Sequence, residues 1–517
     1  MKLRILQVLA LALIIAGSSC NNGTGNKSDK DSALTTKHKY MRYNANSPGG
    51  QKALAAMQKA LDSMRKMDCS NVLSLYYQGA MHWIPDTINN NTLCPSYANK
   101  SQLKKAWDNC THVPGIEINF LAWHRLYIWH FEEIVRKLSG DADFALPYWG
   151  YTDTTNLFAN RVMNEMMRKE GSSLFEKSRF QPLNEGKPIS GAIVKALDLK
   201  PLMRLKDVYL FTKTIDNAPH GAMHNYIGGG NANTYDIFNP IYNCNCNNTG
   251  PANDTCNGGL MANVPSAGFD PIFYLHHSNI DRIWQQWTNS PNGKLVTVDD
   301  LKAYPWGYTF FNPDGSEKDY TAEEVIAAIY NVDYEYDDTP TPAEAKDDAT
   351  KAKKQPSLFL SAKKFADTVV SQKINKVMTD NTISFSVKND APKLQTLLKK
   401  DNSPKNTIIV MKVSFTREPK GIYQVYINQP KGQALNPDGD YFAGFMTFFG
   451  AKHHAQHIQG NTLSATGRAE KVFLFEMTDQ FNTTNAAQKG TYEVSIVNEE
   501  GKGAAAITVE SVSVIVK

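Results

Sequence analysis

The stretch FDPIFYLHHSNIDRIWQQW, residues 269–287, constrains this chain more than any other. Asp270 offers a carboxylate to an orphan backbone N–H, and Pro271 has no N–H to orphan, so a helix is predicted to start there. Phe273, His277, Ile280, Trp284 and Trp287 then recur at helical spacing on one apolar face, which sets an imidazole among core side chains. Alone, such a histidine reads as a satisfied core residue. Upstream, however, Pro219 is followed by HGAMH, and His220 and His224 fall one turn apart on the same helix face. Two imidazoles so spaced can reach one ion while the backbone stays regular. A third from another apolar helix makes an all-nitrogen site that suits copper, zinc or iron and leaves a position open. The theme recurs at His82 in YYQGAMHWIP, His112 in NCTHVPG and His124 in FLAWHRLYIWHFEE. Two three-histidine sets imply two metal ions.

FLAWHRLYIWHFE (120–132) and DPIFYLHHSNID (270–281) resemble the two copper-binding signatures of the tyrosinase and catechol oxidase family, the coupled binuclear copper proteins, and HGAMH resembles the family's paired histidines. The resemblance implies copper A on His82, His112 and His124, and copper B on His220, His224 and His277. Periodicity alone does not choose between the histidines of the doublet, because His276 shares an adjacent apolar stripe with Ile272 and Ile283. The implied activity is oxidation of small-molecule phenols by dioxygen, o-diphenols to o-quinones, with weaker ortho-hydroxylation of monophenols or use of an o-aminophenol. The chain departs from the family in the spacing of His112 to Phe120, and VPG (113–115) reads as a small insertion.

Further positions carry expectations from the same resemblance. Cys110 matches a cysteine that some members bond to the second copper-A imidazole through a thioether, which would lock that ring; a disulfide or free thiol is the other fate. Asp216, four residues before His220, stands where plant relatives carry a Glu, and reads either as a proton acceptor for the phenol or as a helix N-cap before PHGAMH. Gly221 replaces an Asn that some tyrosinases carry, which tilts the reading toward diphenols; Asn225 follows His224 instead. Val264 falls at the residue over copper A and leaves the pocket open. Asp281 either accepts a ligand ring's N–H or pairs with Arg282 on the surface. Arg125 and Glu132 read as a pair or as braces for neighbouring groups, and His130 as a polar helix residue.

The expected architecture is multidomain: a mainly α catalytic domain, 40–337, with a helical core around a binuclear copper site, and a C-terminal all-β sandwich or jelly roll, 357–517. FFNPD (310–314) and the YEY of Tyr334–Tyr336 resemble elements that close the catalytic domain in plant polyphenol oxidases. Residues 338–356, charged and proline-bearing, read as a linker. Beyond it TIIVMKVSF, IYQVYINQ, KVFLFEMTD, TYEVSIVN and AAITVESVSVIVK read as strands, with no helical signal. YFAGFMTFFGAKHHAQH (441–457) resembles the domain that shields the active site in latent plant enzymes, and predicts a lid; His453, His454 and His457 read as polar turn residues.

At the other end, Lys2 and Arg4 precede an apolar run, Ile5–Ala16, too short to cross a bilayer and closed by GSSC. Residues 1–20 read as a signal peptide, with Cys20 as a bacterial lipoprotein site or ordinary secretion as the alternative. Residues 21–39 read as a disordered tether. An exported chain meets an oxidising compartment, so disulfides are the default for Cys69, Cys94, Cys244, Cys246 and Cys256; the thioether would leave one of these five unpaired. Hydrophobic residues make up 42%, charged residues 21% and the net charge is +4, a balance that argues against a dedicated nucleic-acid binder. An oxygen carrier uses the same six histidines but as a large assembly with a blocked pocket. A zinc hydrolase would show a motif such as H-E-x-x-H, which is absent.

Overall fold

The computed structural model describes residues 40–83, 103, 105, 118–229, 259–302, 308–339, 367–399, 405–416, 419, 421–451, 468–483, 489–498 and 506–517. The signal peptide, the tether, all but the first two residues of the expected linker, and the His453–His457 cluster lie outside them.

Two long helices form the centre. Asn119–Ser139 ends at Gly140, whose φ of 69° closes the helix in the left-handed region that glycine tolerates. Ile272–Thr288 is buried on almost every side, so that polar residues such as Ser278, Asn279 and Gln285 are enclosed along with the apolar face. The two cross with Phe131 stacked on Tyr274, ring centroids 3.5 Å apart. Asp270 caps as predicted in chemistry but not in position. Pro271 is the N-cap residue, yet the Asp270 carboxylate accepts from Ile272 N at 3.0 Å and binds Arg179, whose Nη2 lies at 2.6 Å. Pro48–Met64 packs against the first long helix through Leu54, Met57, Leu61 and Met64, all buried, after Ser47 caps it. A short helix, Leu75–Ala80, follows, which Ser74 starts by accepting from Tyr77 N.

A buried charge network ties these elements together. Strand Tyr40–Arg42 pairs in parallel with Tyr334–Tyr336. Asp281 accepts from both tyrosine hydroxyls at 2.6 Å, from Arg125 Nε at 2.5 Å and from Arg42 Nη1 at 3.3 Å. Neither expectation for Asp281 holds: it touches no metal-site imidazole, and Arg282 turns instead to Asp338 and Asp153. Glu132 completes the charge balance, accepting from Arg42 Nε and Arg136 Nη2 at 2.8 Å each. His130 is buried rather than solvated, bonded to Phe311 O and Tyr320 Oη, and burial lowers its pKa to about 4, so it stays neutral.

The C-terminal part contains two four-stranded antiparallel sheets. One orders Ala469–Glu476, Thr407–Phe415, Ile507–Val516 and Thr368–Met378; the other Thr382–Lys388, Thr491–Asn498, Tyr423–Ile427 and Phe442–Met446. Alternate residues of each, Ile409, Met411 and Val413 from the first and Val425, Val494 and Ile496 from the second, meet in one core. The expectation of an all-β segment needs correction, since Ala391–Lys399 and Thr478–Thr483 are helical. Ile408, Ile422, Phe449 and Ile515 belong to the same apolar cluster as the catalytic helices, so a continuous seam joins the two parts. Among the described residues no helix is long and apolar enough to cross a membrane.

Burial alone would raise the Asp281 carboxyl, but the Arg125 and Arg42 guanidiniums and the two phenols outweigh it and hold it below the usual range. Its folded value is depressed, so its stabilisation is complete above its unfolded value of about 4 and is lost as pH falls through the folded one. Asp281→Ala, which strands two buried guanidiniums, is expected to lower unfolding stability by about 3–5 kcal/mol in urea denaturation at pH 7.

Candidate metal centre

Four elements bring the histidines together. His82 follows the short helix Leu75–Ala80, His124 lies one turn into Asn119–Ser139, and His277 sits within Ile272–Thr288. His220 and His224 do not share one regular helix. The chain leaves helical geometry at Ala218 (φ −149°, ψ 132°), turns through Asp216–Gly221, and resumes as Ala222–Gly228, yet the two rings lie 4.5 Å apart. All five are buried, and so is His276. One set of ring nitrogens gathers from His82, His124 and His277, another from His220, His224, His276 and His277, within 4.8 Å in each. His277 belongs to both sets and stacks on His124 at 4.3 Å.

The hydrogen bonds fix the tautomers. His82 Nδ1 lies 2.8 Å from Val264 O, His124 Nδ1 2.8 Å from Phe120 O, and His224 Nδ1 2.9 Å from Met261 O. A carbonyl only accepts, so each Nδ1 carries the proton and each Nε2 presents a lone pair. The His82 and His124 lone pairs converge, Nε2 to Nε2 at 3.3 Å, and the His224 lone pair faces His277 Nε2 at 3.4 Å. Burial, and then the neighbouring imidazoles, push His224, His276 and His277 well below the ordinary histidine pKa, so protons do not fill the gap. A buried cluster of neutral nitrogen donors fits a cation of borderline softness, copper or zinc, bound through Nε2.

The other expected residues fall as follows. His112 and Cys110 lie outside the described residues, as do Cys94, Cys244, Cys246 and Cys256; Cys69 is disulfide-bonded. Val264 is buried and acts here through its backbone, as the acceptor that orients His82. Asp216 is not an N-cap. It closes helix Val208–Ile215, whose N-cap is Asp207. Its carboxylate lies 3.1 Å from His220 Nδ1, on the opposite edge of the ring from Nε2, and borders the cleft between the two parts of the chain. His276 turns Nδ1 to Tyr151 Oη at 2.7 Å and stacks along His220.

Sequence reasoning missed how the β-domain meets this centre. Phe449 lies parallel to the His224 ring, centroids 4.2 Å apart, and edge-on to His220 at 5.8 Å. The segment is held by Asn217: its Nδ2 donates to Phe445 O, its Oδ1 accepts from Thr447 N at 2.7 Å, and its backbone O accepts from Thr447 Oγ1 at 2.8 Å. Gly221 makes room. A Cβ there would stand 3.0 Å from Thr447 Oγ1 and 3.2 Å from Phe449 Cβ. The aromatic run of 441–449 is the signal that pointed to a lid; the amide that receives it, more than two hundred residues away, carries none.

Residues 72–201 and 202–290 match the common central domain of tyrosinase. The chain is 26% identical over 308 residues to a tyrosinase of Hahella sp. (strain CCB-MM4), covering 56% of this chain and 63% of that protein. It is 27% identical over 386 residues to a chloroplastic polyphenol oxidase of Malus domestica, covering 70% and 62%. It thus spans less than two thirds of the length of these curated relatives. The solved structure of latent apple tyrosinase superposes with a TM-score of 0.61 at 20% identity, covering 93% of this chain and 97% of that one. A latent aurone synthase gives 0.59 at 16%, covering 93% and 90%.

Because burial keeps His224 and His277 neutral, metal entry displaces no protons from those two near neutrality. Copper uptake by the metal-free protein, measured by competition with a chelator, is expected to hold its affinity between pH 7.5 and 6, where histidines of ordinary pKa would lose roughly two- to fourfold each.

Proposed function

Since the chain belongs to the tyrosinase and polyphenol oxidase family through its central domain, we propose that it oxidises phenols with dioxygen, o-diphenols to o-quinones in the main and monophenols more slowly. His82 and His124, with His112 from the sequence, hold copper A; His220, His224 and His277 hold copper B. Two copper ions held there would supply the redox chemistry, accepting two electrons from each diphenol for delivery to dioxygen, and neutral all-nitrogen ligation would tolerate both copper oxidation states. The chain's own residues do the rest. Val264 O, Phe120 O and Met261 O keep Nε2 deprotonated on His82, His124 and His224, and the surrounding aromatic side chains exclude water.

The observation that carries this reading is the pairing of converging Nε2 lone pairs with an aromatic ring laid over them. Phe449 stacks on His224 as a phenol ring would, so the β-domain stands in the substrate's place and the described state is a closed one. The resemblance in fold to enzymes described as latent supports the same view. Gly221 leaves space for the lid and, once the lid is away, for a ring bearing two hydroxyls. Export is part of the proposal, with Cys20 lipidated as a membrane tether; the disulfide at Cys69 supports an oxidising compartment.

The test is oxygen uptake by copper-loaded wild type and Phe449→Ala with a catechol and its monophenol. Removing the ring is expected to raise catechol turnover at least about tenfold, near 1.4 kcal/mol of barrier, with monophenol turnover slower in both forms. Copper-loaded protein that consumes no oxygen with any phenol, in either form, would overturn the enzyme reading.

A further inference from the structure

The copper assignment above uses one histidine of the doublet and leaves the other without a task. His276 is fully buried, and its two nitrogens differ. Nδ1 lies 2.7 Å from Tyr151 Oη, on a ring that Trp149 backs edge-on with centroids 5.5 Å apart. Nε2 is buried and meets no hydrogen-bond partner among the described residues. An orphaned polar atom inside a protein costs free energy, which an ion at that nitrogen would return. The ring is placed for one. It stacks along His220 at an interplanar angle of 19° and stands across His224 at 87°. One nitrogen from each of His220, His224, His276 and His277 falls within 4.8 Å of the others. Imidazole nitrogens bound at about 2 Å to one ion stand at most about 4 Å apart, so a small closing movement lets any three of the four share it.

His277 has the opposite character. Its Nδ1 is buried without a hydrogen-bond partner among the described residues, so no acceptor fixes its ring. It also belongs to the group of His82 and His124, stacked on His124 at 4.3 Å, and one Nε2 cannot hold two ions. We infer that His276 is a metal ligand in its own right, the alternative third imidazole of the copper-B side, which holds that ion with His220 and His224 while His277 is turned to the other group. Its task falls in the filling of the centre, and His277 replaces it once both ions are in place. This rests on the phenol-oxidase reading above. Tyr151 is then a positioning residue, bonded to His276 Nδ1 as the Met261 carbonyl is bonded to that of His224.

The test compares full-length wild type, His277→Gln, His276→Gln and the double variant, each stripped of metal, loaded with copper(II) and freed of excess by gel filtration. Copper per chain, its release to a chelator and the Tm of each metal-free form are measured. Wild type and His277→Gln are each expected to keep about two coppers, and the double variant about one. Tyr151→Phe added to His277→Gln is expected to loosen the B-side ion about 10- to 100-fold, as loss of a ligand's outer partner does. If His277→Gln keeps only one copper, or the double variant keeps two, the assignment is overturned and the phenol-oxidase reading stands. Where a lowered Tm shows that His277→Gln does not fold, His276→Gln decides: its second copper is expected to enter on the order of tenfold more slowly, and entry at the wild-type rate would overturn the assignment. A wild-type protein that binds no copper would instead defeat the phenol-oxidase reading, and this inference with it.

Discussion

Neutral imidazole nitrogens converging in a buried space are the constraint around which this protein is built. The Nε2 atoms of His82 and His124 face each other with lone pairs at 3.3 Å, and burial holds His224 and His277 well below the ordinary histidine range. The arrangement is therefore one that a metal completes and little else can. Holding it open falls to the outer hydrogen bonds, whose sources differ. His124 is braced from its own helix by Phe120, whereas His82 and His224 are braced by Val264 and Met261, three residues apart on one segment. That segment, Leu260–Ala267, thus sets one ring in each of the two described histidine groups, which share a common support.

A second buried network fixes the helices that carry those rings. Asp281 lies one turn beyond His277, and Arg125 directly follows His124, so the Arg125–Asp281 ion pair clamps the two ligand helices together next to the centre. Arg42 and the tyrosines of 334–336 draw the two ends of the catalytic part onto the same point. Buried ion pairs add little net stability against apolar packing, but breaking one is costly, and here the network fixes the crossing of the helices.

The histidines were legible because each lies in a short apolar context with fixed neighbours, and a helix turns such spacing into a shared face. Strands Thr407–Phe415 and Thr491–Asn498 match the predicted segments residue for residue because their alternation is unbroken. What escaped depended on distance along the chain. Asp281 invited a local partner, yet it is bonded to Arg42, 239 residues away. Asn217 carries no signal of its own in the sequence, and its partner Thr447 is 230 residues on. Strand Thr368–Met378 was hidden for another reason: it is a sheet edge whose exposed positions are mostly polar or charged, Ser371, Lys373, Asn375 and Lys376, which suits an edge but erases the apolar signal. Asp216 is read from its spacing to His220 alone, and which edge of that ring its carboxylate faces is visible only in the fold.

The apolar seam of Ile408, Ile422 and Ile515, with the Asn217 hydrogen bonds, holds the β-domain by noncovalent contact as well as by the chain. While the chain is intact, the β-domain meets its seat at an effective concentration of the order of millimolar, set by the connecting chain rather than by how much protein is present. Cutting between Thr339 and Asp367 would not by itself uncover the histidines; it would leave the β-domain as a separate molecule bound to the same surface, and its departure would then follow mass action, greater in dilute surroundings than in crowded ones.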